Sequence, residues 1–349
     1  MSFARFLVRR ILQGLVVVWG VVTVTFAIRV VAPGDPVAII LGPGASQALQ
    51  ERVRDDLGLE DPLYVQYYEY MQGLVVGDLG YSYQSRRDVT IMVLERIPAT
   101  LELAVAATIV AIVIAIPLGV VSATRRNQPA DYGATTFSLL GISTPNYWLG
   151  IMLMLLFAVH YGIPYPSPSL GTGLSPVSIG FYSLPSSGRP VGFVDALVTF
   201  ATTGYAGDLL TWFRHIVLPA ITLGTFFTAL ITRLTRSGMV DELGKPYVTA
   251  AEAKGLPDVL IRYKHVLLNT MIPIVTVLGL QLGTLIGGAV ITEEVFNWPG
   301  LGTRLIGSIR SNDWPVTQGV LIVIAIGFVL INIAVDAIYA YLNPRVTTE

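Results

Sequence analysis

Leu103-Ala-Val-Ala-Ala-Thr-Ile-Val-Ala-Ile-Val-Ile-Ala-Ile-Pro-Leu-Gly-Val-Val121 carries no charged side chain over its whole length. As a helix rising 1.5 Å per residue it reaches about 28 Å, roughly the hydrocarbon thickness of a bilayer. A surface helix of a soluble domain needs a polar face, and this stretch has none. Five further uncharged stretches stand in the chain, at 11–28, 135–159, 216–232, 266–292 and 316–335. The pattern predicts six membrane-spanning helices, over 11–31, 101–121, 135–160, 216–234, 266–292 and 316–339. The expected fold class is an all-α polytopic membrane protein.

Composition agrees. Hydrophobic residues are 53% of the 349 positions and charged residues 13%, about half the charge of an average soluble chain. Mean hydropathy is +0.65. A net charge of −1 supplies no basic patch for nucleic acid. With no cysteine, disulfides, thiolate nucleophiles and zinc–thiolate sites are excluded. His160, His215 and His265 show no metal-ligand spacing, so neither metal nor cofactor is expected.

Arg5, Arg9 and Arg10 before an apolar run imitate a signal peptide. The run is longer than a typical signal core and no small-x-small site closes it, so it reads as a retained first helix. The uncharged segment 162–188 is not a span: seventeen of its 27 residues are Pro, Gly or Ser, a backbone unable to satisfy itself in hydrocarbon. Segment 191–200, with Asp195, is too short to cross and reads as an interfacial or re-entrant helix.

Basic residues set the orientation. With the N-terminus inside, the inner segments hold Arg5, Arg9, Arg10, Arg125, Arg126, Arg233, Arg236, Lys245, Lys254, Arg262, Lys264 and Arg345. These include every lysine and outnumber the acids beside them, whereas the outer segments are net acidic. Both termini are thus expected in the cytoplasm of a cell-membrane protein. The organisation follows: residues 1–31 as N-terminus and first span, 32–100 outside, 101–342 as the core, and 343–349 as an inner tail. The outer region 32–100 has helical stretches at 47–56 and 65–74. Within the core lie an outer insertion at 162–214 and an inner loop at 235–265.

That inner loop is the most informative segment. Pro246 suits the first turn of a helix, Gly255 its C′ position, and Pro257-Asp258 opens a second helix. A short helix over 246–254 places Tyr247, Ala250, Ala251 and Lys254 on one face. Its alanines allow close approach of another backbone, and Glu252, Lys254 and Arg262 suit a polar partner. An amphipathic linker resting on lipid headgroups fits the same pattern.

Ala250-Ala-Glu-Ala-Lys-Gly255 with Met271-Ile-Pro273 resembles the EAA loop of permease subunits of ABC importers. Further stretches resemble the dipeptide/oligopeptide (peptide/nickel) branch. They are Pro33-Gly-Asp-Pro36, Leu57-Gly-Leu59 with Pro62, Gly77-Asp-Leu-Gly80 with Ser82, and Pro98-Ala-Thr-Leu101. Phe296-Asn-Trp-Pro-Gly-Leu-Gly302 and Asn343-Pro-Arg345 complete the series. The resemblance covers nearly the whole chain; the 162–214 loop is longer than usual, and Asn343 stands where the family more often has Asp. It implies a translocation pore shared with a second, homologous permease, two cytoplasmic ATPases, an extracytoplasmic substrate-binding protein and a peptide substrate. Related permeases move nickel, glutathione or oligosaccharides. It also implies that Tyr247, Ala250, Ala251, Glu252, Ala253, Lys254 and Gly255 couple to the ATPases, whose closure rocks the spans from inward-open to outward-open.

Other features are open to two readings. Gly279, Gly283 and Gly287 recur every four residues and permit close helix packing, within the subunit or across the pore. Gln281 and Thr284 beside them are candidates for a polar path. Pro117 and Pro145 should each bend a span. Asn332 and Asp336 fit an anchoring hydrogen bond or a proton relay. Gly238 to Pro246 imitates a phosphate-binding loop, but the spacing is one residue too long and Pro replaces the Ser/Thr. No catalytic constellation is recognised, so this chain is not expected to be an enzyme. Two rivals to the importer are an ion-gradient-driven secondary transporter, which calls for midplane charges, and a non-transporting membrane scaffold.

Overall fold

The computed structural model describes residues 3–32, 34–42, 44–158 and 184–342. Pro33, the core of the 162–214 insertion and the 343–349 tail with its Asn343-Pro-Arg345 lie outside the described residues. Among the described residues the ordered elements are helices, apart from one isolated bridge between Tyr81 and Asp88. They are α1 (Phe3–Val31), α2 (Pro36–Leu41), α3 (Gln47–Asp56), α4 (Leu63–Val75) and α5 (Val89–Leu94). There follow α6 (Ile97–Thr124), α7 (Pro129–Ser143), α8 (Asn146–Phe157), α9 (Phe193–Thr203) and α10 (Gly207–Leu243). The last are α11 (Pro246–Ala253), α12 (Asp258–Leu260) running through a π-helical turn (Ile261–Val266) into α13 (Leu267–Val295), then α14 (Leu301–Arg310) and α15 (Trp314–Leu342).

α1, α6, α10 and α15 are each long and apolar enough to cross a bilayer. α6 continues unbroken through Pro117. α13 covers the predicted fifth span with 29 residues, about 43 Å of helix. Over the third predicted span the bend expected at Pro145 is present: α7 and α8 meet there at 107°, a broken pair of helices rather than one continuous helix. Thr144 is extended at φ −87°, ψ 122°, because the ring of Pro145 excludes its neighbour from the helical region. His160, at the end of that predicted span, lies outside the described residues.

The chain forms two compact units, Met1–Thr100 with Pro299–Glu349, and Leu101–Trp298. In the first, α1 lies along α15. A β-carbon on Gly14 would stand 2.4 Å from Val329 Cγ1, and one turn of α1 away Arg10 Nε meets Asp336 Oδ2 at 3.0 Å. This ion pair matches the anchoring reading of Asp336, while Asn332 Nδ2 bonds the Phe328 carbonyl of its own helix at 2.8 Å. Val89, Met92 and Val93 of α5 share a core with Leu301 of α14 and with Val316 and Val320 of α15. Asp313 ties this core down, accepting bonds from the Ser82 hydroxyl and, at 3.0 Å, the Tyr83 N–H.

In the second unit α6 and α10 come into close contact. Ala104, Ala107, Ala111 and Ala115 of α6 are buried, while Leu101, Val105, Ile109 and Val113 point outward. The small side lets backbones meet: a β-carbon on Gly224 would fall 2.7 Å from the Ala107 carbonyl oxygen, and one on Gly119 would fall 2.5 Å from Thr235 Cβ. Packing of this kind replaces the hydrophobic effect between helices that are already in lipid.

Candidate functional site

α10 ends at Leu243, and the chain turns through Gly244-Lys245 into α11. Pro246 opens α11 at a position where its missing N–H costs nothing. Gly255 ends it at φ +73°. The Gly255 N–H bonds the Glu252 carbonyl at 2.8 Å, and the Leu256 N–H bonds that of Ala251 at 3.2 Å. These two bonds form a Schellman cap and require a left-handed residue at 255. Pro257 then precedes Asp258, whose short helix passes through the π turn into α13 without a loop. Such π turns cluster at functional sites.

Val248 is the buried residue of α11. It shares a core with Val120 and Ala123 of α6, Met239 of α10, and Ile261 and Val266 of the π turn, flanked by Tyr247, Ala251 and Leu256. One short helix therefore bears on three spans at once. A polar knot fixes its first turn: the Tyr247 hydroxyl donates to Glu242 Oε2 at 3.0 Å, and Asn269 Nδ2 donates to the Tyr247 oxygen at 3.3 Å. Lys245 Nζ pairs with the other Glu242 oxygen. Burial raises the Tyr247 phenol above its ordinary pKa, and the Glu242 carboxylate beside it raises Lys245.

The single face expected of Tyr247, Ala250, Ala251 and Lys254 is split. Tyr247 and Ala251 turn toward the core, while Thr249, Ala250, Glu252, Ala253 and Lys254 are exposed. The core-facing stripe is set by Val248, the one β-branched apolar residue in the helix, so the helix is rotated from the face drawn through its alanines. Gly255 is also exposed, with nothing within 4 Å of a β-carbon placed on it.

The amino-acid order places this arrangement in a family. Residues 115–348 match the model described as binding-protein-dependent transport system inner membrane component. Residues 3–104 match the corresponding N-terminal model. The chain belongs to this permease family. The dipeptide transport system permease protein DppB of Escherichia coli strain K12 is 40% identical over 348 residues, 98% of each chain. The oligopeptide transport system permease protein AppB of Bacillus subtilis strain 168 is 34% identical over 98% of this chain and 99% of its own. The glutathione transport system permease protein GsiC of Escherichia coli O6:H1 is 34% identical over 98% of each. A chain of the MetNI methionine ABC transporter in an inward-facing form covers 72% of this one and 96% of its own, at 18% identity and a TM-score of 0.49.

In this permease the other candidate residues lie apart from α11. Gly279 and Gly283 are buried within the chain, whereas Gly287 is exposed with open space beside it. Gln281 is half-buried, and the side chain of Thr284 falls outside what is described.

Among the carboxylates that the sequence does not single out, two gather several donors each, the buried Asp131 and the largely buried Glu102. Asp131 of α7 accepts two bonds from Arg236 and one each from the Ser122 hydroxyl and the Asn127 N–H. Glu102 of α6 accepts from Arg189 Nε and Nη2, the Phe193 N–H and Trp212 Nε1, all within 3.0 Å. Their signal in sequence was slight: Asp131 follows Pro129 in a first helical turn, and Arg236 counts only as one more inner positive charge.

Proposed function

We propose that this permease imports peptides, forms half of a pore with a second homologous permease, and is driven by two cytoplasmic ATPases that seat on the exposed face of α11. An extracytoplasmic binding protein delivers the cargo, both termini lie in the cytoplasm, and the chain itself hydrolyses nothing. The observation that carries the reading is the position of α11. Its outer face holds Ala250, Glu252, Ala253 and Lys254 bare, while Val248 beneath them is wedged among α6, α10 and the π turn leading into α13. A push on that face reaches three helices through one packed core, and close-packed cores transmit displacement rather than absorb it. The names of the relatives that transport dipeptides and oligopeptides support the choice of cargo.

The test is co-purification of the ATPases, with uptake measured beside it. A β-carbon at Gly255 has nothing within 4 Å, and the left-handed backbone alone costs about 1 kcal/mol. Gly255→Trp should therefore insert normally, lose its ATPases and abolish uptake. Gly255→Asn, which tolerates the left-handed conformation, should keep both. Glu252→Lys should weaken attachment mildly, since a rim charge pair is worth little, and a change at Asp195 should spare it. Full ATPase retention and uptake in Gly255→Trp would refute docking at α11.

A further inference from the structure

The outer segment between α1 and α6 contains a helix whose surroundings the permease mechanism does not use. α1 is uncharged between Arg10 and Arg29, a distance of about 28 Å along its axis, so Arg29 marks one edge of the hydrocarbon. Thr23 lies six residues inside that edge, about 9 Å below it. There its hydroxyl shares a 2.7 Å hydrogen bond with the hydroxyl of Tyr67 on α4. Phe26, one turn nearer the edge, meets Tyr67 edge-on at 5.2 Å and stacks on Tyr70 at 5.9 Å. α4 is therefore held against the last turns of α1 at membrane depth.

The composition of α4 fits that depth. Its thirteen residues, Leu-Tyr-Val-Gln-Tyr-Tyr-Glu-Tyr-Met-Gln-Gly-Leu-Val, carry one charge, Glu69. Tyr67 and Tyr70 face α1, Tyr64, Tyr68 and Val75 share another helical stripe, and Val76 is exposed just past the helix end. The last four are 76%, 62%, 83% and 81% exposed. Tyrosines enrich the membrane–water boundary because the ring prefers acyl chains and the hydroxyl prefers ester and headgroup oxygens. A shallow groove of about 720 Å³ runs beside the stripe, lined by Tyr68, Met71, Gln72, Gly73, Val75 and Val76 and by one charged residue, Glu69.

We infer that α4 is an interfacial helix, its Tyr64–Tyr68–Val75–Val76 face immersed in the phospholipid leaflet at the Arg29 end of α1. The occupant of the groove is lipid, continuous with the bilayer already surrounding α1. With the N-terminus inside, as proposed above, this is the outer leaflet; only the leaflet's name rests on that reading. The helix pins the start of the extracytoplasmic segment to the membrane surface.

The chain has no cysteine, so single nitroxide labels report unambiguously. Tyr64→Cys, Tyr68→Cys and Val75→Cys are labelled in the full chain, in nanodiscs of phosphatidylethanolamine and phosphatidylglycerol. Collisions with oxygen, which partitions into lipid, are compared with collisions with a water-soluble nickel chelate. Glu51→Cys on α3 is the aqueous reference and Val16→Cys on α1 the lipid reference. The oxygen-to-chelate ratio at 68 and 75 should exceed that at 51 severalfold and approach that at 16. Ratios equal to that at 51 would put this face in water and overturn the inference. Protection from both reagents would overturn it too, by showing that protein, such as the second permease, covers the face. No ATPase is involved, so failure here is separate from failure of the α11 docking test.

Discussion

Asp131 of α7 and Arg236 of α10 form a two-pronged ion pair, Nε to Oδ1 at 2.7 Å and Nη2 to Oδ2 at 2.8 Å. The Asp131 side chain is only 4% exposed, and the Ser122 hydroxyl and Asn127 N–H bind the same two oxygens. α6, α7 and α10 are thereby tied at one point, near the ends from which α11 departs. Removing the cation alone strands a buried carboxylate, which costs about 3 kcal/mol. Arg236→Gln should lower the thermal midpoint of the purified chain and shorten its half-life in the membrane. Asp131→Asn combined with Arg236→Gln should recover much of the loss. Equal destabilisation by the single and double variants would mean that the pair is not what holds these helices.

The contact of Gly14 with Val329 leads to a paired prediction. A β-carbon at Gly14 cannot fit with Val329 Cγ1 at 2.4 Å, and valine in a helix has one strongly preferred rotamer, so it cannot turn aside. Gly14→Ala should cost about 1–3 kcal/mol as an overpacked contact. Val329→Ala in the same chain should restore stability. Thermal unfolding of the four-member cycle in detergent measures the coupling, and purely additive effects would contradict the packing described.

Glu102 gathers four donors from three segments, including the N–H of Phe193 at the start of α9. Glu102→Gln removes the charge and turns an amide donor toward Arg189. Local opening of α9 should become easier by about 2 kcal/mol, roughly a thirtyfold faster exchange of its amides. Hydrogen exchange over Phe193–Thr203, read by mass spectrometry, gives the answer. Unchanged exchange there would assign α9's order to other contacts.

Much of the working part is legible in the sequence. Pro246, Gly255 and Pro257 are local signals, acting through φ restriction and a missing N–H, so α11 came within one residue of its predicted end. α3 coincides with the predicted 47–56 stretch. The face of α11 was not legible, since which side of a short alanine-rich helix turns inward depends on the core it meets. The stripe of Ala107, Ala111 and Ala115 was overlooked because in an uncharged span every face looks alike to hydropathy. Asp131 and Glu102 are not legible there because their arginine partners are far away in the chain.

Length of uncharged runs, charge asymmetry and the Pro/Gly punctuation of the inner loop were determined by the sequence alone, because each is a property of a segment against its solvent or its own backbone. The 107° bend at Thr144-Pro145 was decided only in part by local chemistry: proline forbids a straight continuation there but does not choose the angle. The rotation of α11, the small-residue seam between α6 and α10, and the knots at Asp131 and Glu102 were decided by tertiary structure. Each depends on contact between residues distant in sequence, and in lipid, where apolar surface gains little by meeting apolar surface, fit and hydrogen bonding choose among otherwise equivalent faces.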